Sequence, residues 1–198
     1  MMSEDYSKLS LKEIIAEAEA ISREAQERFL RLNSEQLNWK PTPESWSIAQ
    51  CIDHLITSSN SYFPQFDQII GGKKKTTLLQ SLPFLPGIWG RLLIKALSPN
   101  SNRKFKAPQS FQPASSKIDP QIISKFAAQQ NELIGKIRAT EGRAPEKVII
   151  SSTALKIVTY SLLDAYRILL VHERRHFKQA QRVMEAPGFP GESIVGSR

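Results

Sequence analysis

Residues 47–70 read SIAQCIDHLITSSNSYFPQFDQII. The opening Ser47-Ile48-Ala49-Gln50 is a capping box, in which the serine hydroxyl and the glutamine side chain each satisfy a backbone amide that a helix N-terminus leaves open. Behind it, Ile48, Cys51, Ile52, Leu55, Ile56, Ser59, Tyr62, Phe63, Phe66, Ile69 and Ile70 recur at helical spacing on one face. Gly71-Gly72 supplies a stop. The stretch predicts one long amphipathic helix, and such a helix cannot bury its apolar stripe alone.

Partners for it lie on both sides. Ser10-Leu11-Lys12-Glu13 is another capping box, followed by a stripe of Leu11, Ile14, Ala18, Ile21, Ala25, Phe29 and Leu32. Asn33 to Trp46 reads as a connector broken by Pro41 and Pro43. Asp119-Pro120 predicts an N-cap and a proline at the first helical position, and Ile122, Phe126, Leu133 and Ile137 carry a third stripe up to Gly142. Val148-Ile149-Ile150 reads as a short extended piece. Ser161-Leu162-Leu163-Asp164 resembles a cap for a last helix that runs to about Glu185. Four amphipathic helices with almost no strand signal predict an all-α fold, a four-helix bundle. The chain of 198 residues is expected to form a single domain over 1–198, with its core helices within 10–70 and 119–185. Residues 71–118 form a long crossover insertion between helices two and three, with an amphipathic helix near Gly87–Leu97.

Hydrophobic residues at 40% and charged residues at 23% suit a packed core rather than a disordered chain. A single cysteine, Cys51, excludes a disulfide framework and a cysteine zinc cluster within the chain. On the core face it reads as a small hydrophobe. The net charge of +8 is concentrated: residues 71–118 hold nine basic groups and no acidic one, and the rest is close to neutral. That pattern argues against a nucleic-acid-binding scaffold, which would show a basic face on its folded body. It fits a peripheral membrane contact through 73–97, where Phe84, Trp89, Leu92, Leu93 and Ile94 stand beside Arg91 and Lys95. The first residues are acidic where a signal peptide is basic, and Leu78 to Leu97 is interrupted by prolines and charges, so the expected location is cytoplasmic.

Chemistry concentrates on the three histidines, His54, His172 and His176. His172 and His176 are one turn apart on the last helix, about 40° apart around its axis, which lets two imidazoles reach one ion. A lone pair at this spacing is more often two ordinary helical histidines. His54, one turn into the second helix, adds a third ring at a position that can converge with them. Three neutral imidazoles suit a divalent transition metal, zinc or nickel first, with iron, copper or manganese also accommodated, and leave an open position for water or substrate. His172-Glu173-Arg174-Arg175-His176 also matches the HExxH pattern of zinc peptidases. No HxxGxxH extension follows, Glu185 is too close to the pair, and Glu192 lies in a Pro/Gly-rich stretch. Glu173 points to the apolar side as a candidate acid/base or supporting group, the ordinary alternative being a pair with Arg175 or Arg138. Trp46, just ahead of a helix, reads as a hydrophobic staple. Asp53 reads as solvated, and Lys73-Lys74-Lys75 as a solvated run.

Together these blocks resemble the DinB-like superfamily of metal-binding four-helix proteins, which includes YfiT-type proteins assigned as metal-dependent hydrolases and bacterial thiol S-transferases that use bacillithiol or mycothiol. The resemblance rests on Leu37-Asn38-Trp39-Lys40-Pro41, Glu44-Ser45-Trp46-Ser47-Ile48-Ala49-Gln50 with His54-Leu55, and His172-Glu173-Arg174-Arg175-His176-Phe177-Lys178-Gln179. Phe105-Lys106-Ala107-Pro108 and Phe111-Gln112-Pro113 also fit, and it spans roughly residues 10–185. It implies His54, His172 and His176 as a metal triad, and helices running up, down, crossover, up, down. The expected function is a metal-dependent enzyme acting on a small molecule, by hydrolysis or S-transfer from a metal-activated water or low-molecular-weight thiol. Glu173 and Gln179 are its candidate catalytic and positioning groups, and a homodimer is compatible with the fold. The alternatives are a non-catalytic bundle whose basic segment binds an anionic membrane or partner, and an HExxH-type zinc peptidase.

Overall fold

The computed structural model of the chain describes residues 5–74, 77, 80, 85–99, 111–113 and 117–191. A single 3₁₀ turn, Tyr6–Lys8, precedes α1 (Leu11–Phe29), α2 (Ser34–Asn38), α3 (Ile48–Asn60), α4 (Phe63–Ile70), α5 (Leu85–Leu97) and α6 (Ile122–Ala139). A hairpin of β1 (Ile149–Ser151) and β2 (Thr159–Ser161) then leads into α7 (Leu162–Met184). The fold is all-α apart from that antiparallel hairpin, which pairs Ile149 with Ser161, Ile150 with Tyr160 and Ser151 with Thr159. Phe84, Lys75, Phe105 to Pro108 and Glu192 lie outside the described residues.

Helices α1, α3, α6 and α7 make the bundle. α1 packs against α6 and α7, and α3 packs against the same two. α1 and α3 therefore sit across a diagonal, and the crossover lets α6 enter between them. Local chemistry sets the starts. At Ser10 and Ser47 both halves of the capping box are formed, with Glu13 and Gln50. At Ser161 the hydroxyl accepts from the Asp164 amide at 3.0 Å. Each such cap stabilises its helix by about 1 kcal/mol.

Three boundaries differ from expectation. The helix expected over 47–70 is two, α3 and α4, because Pro64 has no amide to bond the Asn60 carbonyl and its ring crowds that carbonyl. α6 starts at Ile122 rather than at Pro120, since the Asp119 carboxylate accepts from the Gln121 amide at 2.8 Å and forms a turn ahead of the helix. The connector contains α2, with its own box between Asn33 and Gln36. Its Asn38 side chain grips the returning crossover, donating to the Ile118 carbonyl at 2.9 Å and accepting from the Ile118 amide at 2.7 Å.

The end of α4 is a Schellman turn. The Gly72 amide donates to Ile69 and the Lys73 amide to Gln68, with Gly72 at φ +68°. A β-carbon there meets nothing within 4 Å. Gly72→Ala should therefore cost only the left-handed conformation, about 1 kcal/mol, read as a lower urea midpoint at unchanged slope.

Candidate metal centre

α7 assigns one job to each residue of its central turn. Successive side chains step about 100° around the axis, so His172 and His176 share a side, Glu173 and Phe177 share the next, and the two arginines take the remainder. Phe177 packs edge-on to Phe29 of α1 at 5.6 Å and against Phe126 of α6 at 5.8 Å. Arg174 holds α1 through Glu17 at 2.6 Å and through Glu24. Arg175 donates to the Ser98 carbonyl just beyond α5. With its other sides anchored, α7 presents both imidazoles to α3.

There they meet His54. The ring centroids lie 5.0 Å apart for His54 and His172, and 4.6 Å for each of the other two pairs. One ring nitrogen from each residue falls within 4.8 Å of the others. The Nε2 atoms of His54 and His172 are 3.1 Å apart. Two nitrogens bound tetrahedrally at 2.0–2.1 Å from one ion would be roughly 3.3–3.4 Å apart, so this pair already stands at about the spacing of two ligands on one ion.

Protonation favours the same outcome. Burial lowers the pKa of His54 and takes His176 well below the ordinary imidazole range. His172 is pushed down to about 3, by burial first and then by His54 and Arg175. At neutral pH the rings are uncharged and carry lone pairs. His54 Nδ1 lies 2.6 Å from the Phe111 carbonyl. A carbonyl only accepts, so the Nδ1 proton is there and Nε2 faces the other rings with its lone pair, the tautomer a metal ligand needs. His176 Nδ1 is buried with no hydrogen-bond partner, an unsatisfied site of the kind an ion or water relieves. The donor set fits a divalent transition metal.

A family model of the DinB superfamily matches residues 17–180. The chain belongs to the DinB superfamily. No curated protein and no solved structure matches it. The match covers α1 through most of α7, so all three histidines lie within the DinB region. His54 (4% exposed) and His176 (9%) are buried, and His172 is less so.

Other candidates fall in different places. Glu173 is fully buried in the bundle centre, where its Oε1 accepts from Gln130 Nε2 at 2.7 Å and Ser59 Oγ at 3.5 Å. Its Oε2 has no partner, and burial pushes its carboxyl up to about 7. Arg138, the alternative partner for it, pairs instead with Glu19 at 2.7 Å. Gln179 is half-buried, and its side chain favours the charged form of His176 against the larger effect of burial. Asp53, expected to be solvated, is half-buried, and burial raises its carboxyl. Cys51 is buried, with its thiol pushed up to about 12, as a core position requires.

Two contributors to the centre carry no such signal in the sequence. Trp46 stacks on His176 at 5.6 Å with an interplanar angle of 16°, and its ring centroid is 4.9 Å from that of His54. It is a wall of the centre, whereas its position immediately before the capping box suggests only a staple. Phe111 acts through its backbone, so its side chain gives no signal beyond lying in a block that fits the family.

Proposed function

We propose that the protein is a metal-dependent enzyme acting on a small molecule, with His54, His172 and His176 as ligands and a water or low-molecular-weight thiol as nucleophile. The observation that carries this is the convergence of three neutral imidazoles within 4.8 Å, with one tautomer set by the Phe111 carbonyl. A divalent ion, zinc or nickel first, supplies Lewis acidity that lowers the pKa of the nucleophile at its open position. The chain's own residues do the rest. Phe111 holds the His54 ring, Trp46 shields His176 from water, and the anchoring of α7 by Arg174 and Phe177 keeps the two helical rings in register. Cys51 is excluded as a nucleophile, because a buried thiol with so high a pKa offers no thiolate. The nucleophile therefore comes from solution, and attack on an electrophilic substrate gives hydrolysis or S-transfer. Glu173 serves this centre from behind, tying α7 to α3 and α6 through Ser59 and Gln130. Gln179 is its candidate positioning group.

Elemental analysis of protein purified without a histidine tag should give about one equivalent of transition metal per chain. His54→Ala and His172→Ala should each lose most of it. Stoichiometric metal in both variants would discard the triad. Consumption of an electrophile by chelator-treated and reloaded protein, with and without an added low-molecular-weight thiol, separates S-transfer from hydrolysis. The same rates with and without metal would refute the enzymatic reading.

A further inference from the structure

Among the described residues, α5 is fixed to the bundle by one side. It packs on α7, β2 and the first 3₁₀ turn. At Gly90 it comes so close to Asp164 that a β-carbon would lie 2.5 Å from the carboxylate. Pro86, Gly90 and Ile94 are buried, and Leu93 and Leu97 pack partly against the core. Around the helix at 100° per residue these five occupy one arc.

The opposite arc is different. Ile88 (48% exposed), Trp89 (39%) and Leu92 (53%) face outward with Arg91 and Lys95, all within about 160°. Ile88 and Leu92 form the centre line, Trp89 one flank and the two cations the other. The hairpin on which α5 packs shows the same chemistry at its tip, where Leu155 (59%) and Ile157 (72%) flank an exposed Lys156. Neither α5 nor residues 149–161 contain an acidic residue. Large apolar side chains exposed this far mark a surface with an occupant.

We infer that the outer face of α5 docks on an anionic lipid bilayer as a peripheral contact, with the exposed apolar tip of the hairpin it packs on as a second candidate point of contact. Charge chooses this occupant. A second copy of the chain would set Arg91 and Lys95 against themselves, with no acid on α5 or the hairpin to pair them. A bilayer bearing anionic headgroups takes the cations at its surface, admits Ile88 and Leu92 to the acyl boundary, and suits Trp89 at the interface. The face is the convex side of a helix, and a broad surface fits it better than a ligand does. No helix among the described residues is long and apolar enough to cross a membrane, so α5 lies on the surface rather than spanning it.

The test is co-sedimentation of the full chain with vesicles of phosphatidylcholine alone and of phosphatidylcholine mixed with phosphatidylglycerol. Binding is expected to the mixed vesicles, to be weak on the neutral ones, and to fall as salt is raised. Arg91→Gln with Lys95→Gln should lower the partition coefficient about 25-fold, roughly fivefold for each cation. Trp89→Gln with Leu92→Gln should abolish binding and, in wild type, the fluorescence of Trp89 should shift to the blue on binding. These positions are exposed, and circular dichroism checks that the variants stay folded. No binding by wild type, equal binding to both vesicles, or double variants that bind as wild type does would overturn the proposal. So would a concentration-dependent dimer, lost in the Trp89→Gln/Leu92→Gln variant, without vesicle binding, which would make this face a self-interface.

Discussion

Glu173→Gln is expected to stabilise the metal-free protein by about 3 kcal/mol at pH 8 and by almost nothing at pH 4. The sign follows from where the carboxyl titrates. Its pKa rises from 4.5 to about 7, by burial first, against the opposing pull of Gln130. A carboxyl raised in the folded state favours folding below its unfolded value of 4.5, loses that contribution as pH rises to about 7, and has lost all of it above. Each tenfold difference in proton affinity between the folded and unfolded chain is worth about 1.4 kcal/mol. Glutamine keeps the shape and an oxygen to accept from Gln130 and Ser59, but never has to carry a charge in the bundle centre. Denaturant titrations of both proteins at pH 4 and pH 8, after chelator treatment, measure the difference. Equal stability at pH 8 would mean that the Glu173 carboxylate is solvated, or paired with a cation, rather than buried alone in the bundle centre. The alanine variant is uninformative for this purpose, because it also opens a cavity and strands Gln130.

This buried acid also illustrates how far the sequence can be read. The rotation that puts Glu173 on the apolar side of α7 is local arithmetic and is legible. Its partners are not, since Ser59 and Gln130 arrive from two other helices whose registers depend on packing. The same division holds elsewhere. The caps at Ser10, Ser47 and Ser161 are contacts across three residues, so spacing alone reveals them. The break before Phe63 is hidden because the apolar stripe continues in phase through Pro64, and periodicity outweighs the missing amide. β2 is three residues long and exists only because β1 pairs with it, while the strand-like run at Val148 to Ile150 is visible by itself. At the centre, the histidines stand out because imidazoles at that spacing are rare. Trp46 reads only as a staple and Phe111 has no assigned role, because a ring stacked across the bundle and a carbonyl on a crossover leave no periodic trace.

The second large effect is acid sensitivity of the metal-free protein, in which the His172 ring alone is expected to remove about 1.4 kcal/mol of stability for each pH unit below about 6. All three imidazoles have folded pKa values below the ordinary 6.5, with burial the first cause in each. As pH falls through 6.5 the unfolded chain binds protons that the folded chain refuses, so the free energy of unfolding drops. His172, with its folded value of about 3, gives about 1.4 kcal/mol per pH unit once the pH is well below 6.5, and His176 and His54 add to it in the same direction. Glu173 works the other way over the range from about 7 to 4.5, where the folded state takes up a proton first, and returns roughly one ring's worth. Below pH 4.5 Glu173 no longer offsets the rings, so the loss steepens there, and a domain whose total stability is of order 5–15 kcal/mol is expected to unfold in acid. The combination is diagnostic: His172→Ala should flatten the slope by about one ring's worth, whereas Glu173→Gln should steepen it by a similar amount. Chemical denaturation in chelator at pH 7, 6 and 5.5 measures each slope. A Glu173→Gln stability that stays flat over that interval would show that the rings accept protons in the folded state, and neutral imidazoles poised for an ion would then be the wrong description of the cluster.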